Sequence, residues 1–430
     1  MGLIRTLFRR ILARASESNL ICTVWVAFWH EVDKIIGFFV RLIYRYFVKI
    51  DPNKVFFMPQ ESAYTCNPKY ICEALVAEYP DVKVVWRSYE LLSGAIPTRY
   101  KSVDYNTFAY FREIFSSKII VANSFVYLGM PIRLKKGQIL IQTWHGSLGL
   151  KKHSKEVITD SIRRVEAMEY TGRRTDYCLI NSTLEQHSLS ETYWPKTPML
   201  MYGHARNDLM FPQYAERRAE LKKAIADLWG ISVDTNIVMY APTFRNSKSF
   251  EYYDIDYDRV ADALSERFGG EWCFVLRYHP SMRLLAQERK PPMTRCRLID
   301  ATSYFDMQEL IAVTDIAITD YSSWIYDFVL TRKPGFLFAT DIESYTKKDR
   351  GFYYPIETTP FPIARNNAEL AENILGFNAE AYAGRVEEFL IDKGCAEDGN
   401  AAKRAARLIR DLLDGKPAST REEMDQKLGL

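Results

Sequence analysis

Four short segments carry side chains suited to moving a proton or gripping an anion. In Gln142-Thr-Trp-His-Gly-Ser-Leu-Gly-Leu-Lys-Lys152, an apolar run (139–141) passes directly into His145, Gly146 and the pair Lys151 and Lys152. An ordinary imidazole titrates at about 6.5, so His145 is suited to take a proton from a hydroxyl. Gly146 would let backbone approach a ligand, and the two lysines could bind phosphate; a histidine packed in a tight turn is the plainer alternative. In Tyr240-Ala-Pro-Thr-Phe-Arg245, Pro242 stops a strand and Thr243 and Arg245 are expected as exposed donors beyond it. In Arg277-Tyr-His-Pro280, Arg277 and His279 are donors that could meet a pyrophosphate. In Thr319-Asp-Tyr-Ser-Ser-Trp-Ile-Tyr-Asp327, a strand ends at Thr319 and a helix is expected to begin near Ser322. Ser322 and Ser323 would then offer hydroxyls and backbone N–H groups to an anion at a helix N-terminus, or simply cap it. Asp327 could reach a ribose or glycerol hydroxyl, or only brace the loop.

All four segments follow predicted strands, and in an open α/β sheet ligands sit outside the carboxyl ends of strands. Apolar runs predict strands over 55–57, 82–86, 118–122, 138–142, 177–181 and 200–202. A charge-mixed helical stretch covers 214–229. Strands resume at 237–241, 273–277, 297–300, 316–319 and 335–339, and helices such as 401–413 close the chain. Strands separated by helix-length segments imply parallel βαβ units. The expectation is an α/β protein with two Rossmann-like domains, 51–212 on the acceptor side and 213–430 on the nucleotide side, the latter with the C-terminal helices. One chemical segment in the first domain and three in the second imply a single site in the cleft between them. GxxxxGK[ST], GxGxxG, HExxH and GxSxG are absent. Asp254-Ile-Asp256 resembles a metal-holding DxD but reads better as a solvated turn, and no cofactor or metal is required by the sequence.

The 430 residues carry 57 basic and 54 acidic side chains, a net +3 that hides a split. Residues 1–50 are net +5 with nine aromatics, and the remaining chain is net −2. A body without basic excess argues against a nucleic-acid partner, and 47% apolar content argues against disorder. Seven scattered cysteines without CxxC suggest a reducing compartment. The sequon at Asn181 is expected to be chance. No run approaches the roughly 20 apolar residues of a spanning helix. Leu3, Ile4, Leu7, Phe8, Ile11 and Leu12 instead share one helical face opposite Arg5, Arg9 and Arg10, and aromatics continue through 24–48. Residues 1–50 are therefore expected as amphipathic helices on an anionic membrane surface, peripheral on the cytoplasmic side.

In this order, the segments resemble the CDP-glycerol glycerophosphotransferase family of teichoic-acid primases and polymerases. The likeness is carried by Trp144-His145-Gly146 with Lys151 and Lys152, by Gly203-His-Ala-Arg-Asn-Asp208, and by Ala241-Pro-Thr-Phe-Arg245. Arg277-Tyr-His-Pro280, Thr319-Asp-Tyr-Ser-Ser323 with Asp327, and Asp398-Gly-Asn-Ala-Ala402 extend it. The resemblance implies a GT-B fold, monotopic membrane attachment, and transfer of glycerol phosphate from CDP-glycerol to a hydroxyl of a lipid-linked or polymeric acceptor, releasing CMP. It matches His145 and His279 to the family's essential histidines and Ser322 and Ser323 to its donor-phosphate contacts, and it adds Arg206 and Asp208 as candidate substrate contacts. Ser147-Leu-Gly-Leu replaces the usual Thr-Pro-Leu after WHG, on the expected acceptor side. The competing expectations are a GT-B glycosyltransferase using a sugar nucleotide and a non-catalytic membrane protein that binds anionic polymer.

Overall fold

The computed structural model describes residues 38–60, 63–89, 96–124, 134–149, 151–152, 162–245, 254–279, 282, 293–343, 345 and 351–430. The first sheet comprises β1 (Asp51–Met58), β2 (Lys83–Ser88), β3 (Lys101–Asp104), β4 (Ser117–Ala122), β5 (Ile139–Gln142), β6 (Tyr177–Leu179) and β7 (Met199–Leu200). The second comprises β8 (Asn236–Tyr240), β9 (Trp272–Leu276), β10 (Arg297–Asp300), β11 (Ile316–Thr319), β12 (Gly335–Phe338) and β13 (Ile363–Ala364). Their orders are β3-β2-β1-β4-β5-β6-β7 and β10-β9-β8-β11-β12-β13, with every pairing parallel. Both are the doubly wound order, whose ligand crevice opens where the winding reverses. Those points lie between β1 and β4 and between β8 and β11, so the chain after β4, β8 and β11 is placed for ligand contact. The central strands are buried on both faces, as helix-covered parallel sheets require; Val55, Phe56 and Phe57 in β1 have no solvent exposure.

Every strand expected from an apolar run is present. β3 (Lys-Ser-Val-Asp) and the two-residue β13 were not expected. Both are short edge strands that pair on one side only, so neither needs a continuous apolar run. Asp51-Pro-Asn-Lys opens β1, and its register against β4 shifts between Asp51 and Val55.

A larger correction concerns the C-terminus. The helix Ala401–Leu413 packs against the first sheet, not the second. Its Ala402, Ala405, Ala406, Leu408, Ile409 and Leu412 share a core with Val55, Phe57, Ile71 and Leu75, and Met424 of the helix Arg421–Leu428 joins them. The return is pinned by Asp208, whose carboxylate accepts from Ala401 N (2.9 Å) and Ala402 N (2.7 Å), serving as a remote cap for that helix. Burial pushes this carboxyl well above the usual range, against those two donors.

Most of the expected front end, residues 1–37, lies outside the described residues. Residues 38–47 form a helix that leads into β1. Val40 and Tyr44 pack on the first domain beside Phe115 and Ile114. Phe38, Phe39, Leu42, Ile43, Tyr46 and Phe47 face outward, Phe47 being 80% exposed. Among the described residues no helix is long and apolar enough to cross a membrane. The six described cysteines are free thiols, and Asn181 is fully buried, which bars its sequon from glycosylation in the folded protein.

Candidate active site

His145 stands just beyond β5, on a turn shaped by its neighbours. Trp144 adopts a left-handed backbone (φ 50°), unusual for a bulky residue, and its indole packs against Tyr193 and Trp194. A Cβ on Gly146 would lie 2.8 Å from the Trp144 Nε1, so the glycine makes room for the indole. The ring of His145 is half-buried, with Nδ1 2.6 Å from the carbonyl oxygen of Asn123, just past β4. A carbonyl only accepts, so Nδ1 is the protonated nitrogen of this contact, an arrangement that makes Nε2 the basic nitrogen whenever the ring is neutral, as a general base requires.

The segment after this turn is held by the second domain. Lys151 Nζ donates to Thr243 Oγ1 (3.2 Å) and lies over the Tyr345 ring. Lys152 N donates to Gly351 O (2.9 Å), and Tyr354 OH donates to Leu148 O (2.6 Å). From below, Asn181 Nδ2 donates to Ser147 Oγ (3.1 Å) and to Glu397 Oε1 (3.0 Å).

Ser322 and Ser323 follow β11 and are half-buried. The expected helix starts later and is short: Ile325–Phe328, a single turn whose N-cap position is Trp324, with no side-chain cap. Its dipole is correspondingly small, and neither serine is consumed as a cap. His279 lies beyond β9, its ring 5.6 Å from that of Phe244. The cleft walls around it, with Lys151 and Arg277 nearby, push its pKa down to about 4. The side chain itself is solvent-exposed, so the two cations are the cause that a bound anion would oppose.

Several expected contact residues prove to be framework. Arg245 and Thr243, expected as exposed donors, are 3% and 8% exposed. The Arg245 guanidinium pairs with Asp320 (2.8 Å) and Asp341 (2.9 Å) and lies over the Tyr321 and Tyr345 rings. Asp320 also accepts from Thr243 N (2.8 Å), so two carboxylates fix the loop after β8. Arg277 turns toward 304–307, donating to Tyr304 O (2.9 Å). Thr319 is fully buried and donates to Ala241 O (2.7 Å), tying β11 to β8. Arg206 and Asp327 are buried and pair with each other at 3.0 Å. Asp208 caps the helix Ala401–Leu413, as described. Asp256, half of the DxD, caps the helix Tyr257–Phe268. Among the described residues no three His, Cys, Asp or Glu side chains converge as a metal site.

Some interface residues escaped the sequence. Lys69, Asp306 and Gln308 join the domains from unremarkable helix starts. Lys69 Nζ meets Asp306 (2.7 Å) and Glu309 (2.5 Å), and Thr65 and Tyr70 also donate to Asp306. Polar residues at helix starts are ordinary caps, so only the partner across the interface reveals the role.

The family described as CDP-Glycerol:Poly(glycerophosphate) glycerophosphotransferase matches residues 39–411. A teichoic acid poly(glycerol phosphate) polymerase of Staphylococcus epidermidis is 26% identical over 81% of this chain, and the chain spans about half (48%) of that protein. A teichoic acid glycerol-phosphate transferase of Staphylococcus aureus is 24% identical over 80% of this chain and 90% of its own length. The solved structure of the wall teichoic acid polymerase TagF superposes with a TM-score of 0.76 at 23% identity, covering 93% of this chain and 99% of that one, which shows a shared GT-B-like fold.

Proposed function

The chain belongs to the CDP-glycerol:poly(glycerophosphate) glycerophosphotransferase family, and from that premise we propose that it moves glycerol phosphate from CDP-glycerol to a hydroxyl of a teichoic-acid-like acceptor, lipid-linked or polymeric. The observation that carries the reading is His145, just beyond β5, with Nδ1–H directed at the Asn123 carbonyl, which leaves Nε2 as the basic nitrogen of the neutral ring.

In the reaction, the acceptor oxygen attacks the phosphorus that bears glycerol. The bridging P–O bond breaks, CMP departs with its charge, and the hydroxyl proton passes to Nε2 of His145. General-base catalysis of this kind contributes roughly 10²–10⁴-fold. Ser322, Ser323 and His279 are the donor-side groups that would hold the diphosphate, with Lys151 and Lys152 reaching it from the acceptor side. Fixed donors of this sort stabilise charge spread over the transferring phosphoryl group. Arg245, Thr243, Arg277, Thr319 and Asp327 act one step back, by fixing the loops that carry those groups.

The outward row Phe38, Phe39, Leu42, Ile43, Tyr46 and Phe47, with Arg41 and Arg45 on the same helix, supports docking on an anionic leaflet, where a lipid-linked acceptor would be found. The test is a donor screen with a lipid-linked acceptor. CMP released from CDP-glycerol, dependent on acceptor, is expected. CMP from CDP-ribitol instead would reassign the polyol. UDP from sugar nucleotides would mark a glycosyltransferase, and silence with every donor would leave only a polymer binder.

A further inference from the structure

Beneath His145, two side chains hold four consecutive carbonyls. Asn67 Nδ2 donates to Thr143 O (3.0 Å) and Trp144 O (3.3 Å). Arg206 donates to His145 O (2.8 Å) and Gly146 O (2.6 Å). The two clamps are themselves joined, because Arg206 N donates to Asn67 Oδ1 (3.1 Å). All of this belongs to the first domain. The charge that balances Arg206 does not: it is Asp327 of the second domain, at 3.0 Å. Gln308 Nε2, also of the second domain, donates to both Asp327 Oδ2 (3.3 Å) and Asn207 Oδ1 (3.0 Å). Arg206, Asn207, Gln308 and Asp327 thus close a ring across the domain interface, and none is more than 5% exposed.

We propose that Arg206 and Asp327 are positioning residues that make the placement of His145 conditional on the seating of the second domain. This rests on His145 being the base. Asp327 lies four residues beyond Ser323, on the unit that carries the donor-phosphate serines. Parting the domains would strip Arg206 of its counter-charge inside a buried site. Such a cation recruits water or moves, because its desolvation is no longer offset. Either response loosens the hold on the His145 and Gly146 carbonyls. The acceptor's base and the donor's cradle are therefore assembled together or not at all.

A pair that merely glued the domains would affect folding and donor affinity alike. A positioning pair instead separates kcat from KM and changes the state of the His145 ring. The experiment compares wild type, Asp327→Asn, Arg206→Lys and Gln308→Met, using CMP release from CDP-glycerol and ¹⁵N-histidine NMR, with His145 assigned by its loss in His145→Gln. Misplacing a reacting group by about 1 Å costs on the order of 100-fold. Asp327→Asn and Arg206→Lys should lower kcat by roughly 30- to 100-fold, with KM for CDP-glycerol within about threefold. The His145 signal should move from the Nδ1–H tautomer toward the Nε2–H tautomer. Gln308→Met, which removes only a neutral brace, should give the same pattern more weakly and covers the case in which a charge variant fails to fold. An unmoved His145 signal, or a loss carried by KM, overturns the proposal. If wild type releases no CMP, the transferase reading fails, while the NMR arm still decides whether the clamp holds the ring.

Discussion

At the scale of single residues, the rings of His145 and His279 are held in different ways. His145 is held in one tautomer by a carbonyl, whereas His279 is kept neutral by its surroundings and by the cations Lys151 and Arg277. Its depressed pKa has two consequences of opposite sign. Between about 6.5 and 4 the unfolded chain binds a proton that the folded chain refuses, so His279 makes the protein lose stability as pH falls through that window. A bound diphosphate favours the charged ring, so donor binding takes up a proton and its affinity rises as pH falls from about 7 to 5. Calorimetry in two buffers of different ionisation heat should detect that uptake, and His279→Ala should abolish it. A pH-independent affinity in wild type would remove His279 from the donor site. The strand-exit positions of His145, His279, Ser322 and Ser323 were legible because each follows an apolar run. The burial of Arg245 was not legible for a physical reason. An arginine after a strand looks the same in sequence whether it meets a ligand or a carboxylate, and here Asp320 and Asp341 pair with Arg245, Asp327 pairs with Arg206, and the 304–307 loop accepts from Arg277.

At the scale of elements, strand exits do most of the positioning. β4 delivers Asn123, β5 delivers His145, β8 delivers Thr243 and β11 delivers the serines, and the two reversals of winding bring these exits to one crevice. Strands were readable because buried parallel strands are continuous apolar runs. Caps were not, when the partner is distant: Asp208 and Ala401 are far apart in the chain yet make one helix start. Asp208→Ala strips that start of two acceptor contacts and should cost about 1–2 kcal/mol of stability. Because both carboxylate oxygens are taken by that helix start, kcat should stay within about twofold of wild type. Urea unfolding and CMP release on the same preparation check both halves. A tenfold loss of turnover without loss of stability would return Asp208 to the site. Gly146→Ala tests the turn after β5, because its Cβ must displace the Trp144 indole. Overpacking of this kind costs about 1–3 kcal/mol and should reduce turnover further by shifting His145.

At the scale of the molecule, the first domain is discontinuous. Residues 51–212 lack the helix that covers Ile71 and Leu75, and burial of Leu408, Ile409 and Leu412 contributes about 1.5–3 kcal/mol each. Residues 51–212 alone should therefore fail to show cooperative unfolding, and the same segment linked to 396–430 should regain it. Sequence reasoning placed the two sheets but not this return, because an amphipathic terminal helix carries no mark of which core it will cover. Charge contrast within the chain has a corresponding geometry: the outward apolar helix 38–47 belongs to the first domain, the side expected to meet the acceptor. Deleting residues 1–48 should release the protein from anionic vesicles and harm turnover on lipid-linked acceptor more than CDP-glycerol binding. The central claim is that His145 takes the acceptor proton in a crevice the second domain completes. The most direct measurement is single-turnover CMP release by His145→Gln at saturating CDP-glycerol and acceptor, alongside donor affinity by calorimetry. The rate should fall at least about 100-fold while the donor dissociation constant changes less than about threefold; turnover within tenfold of wild type would contradict it.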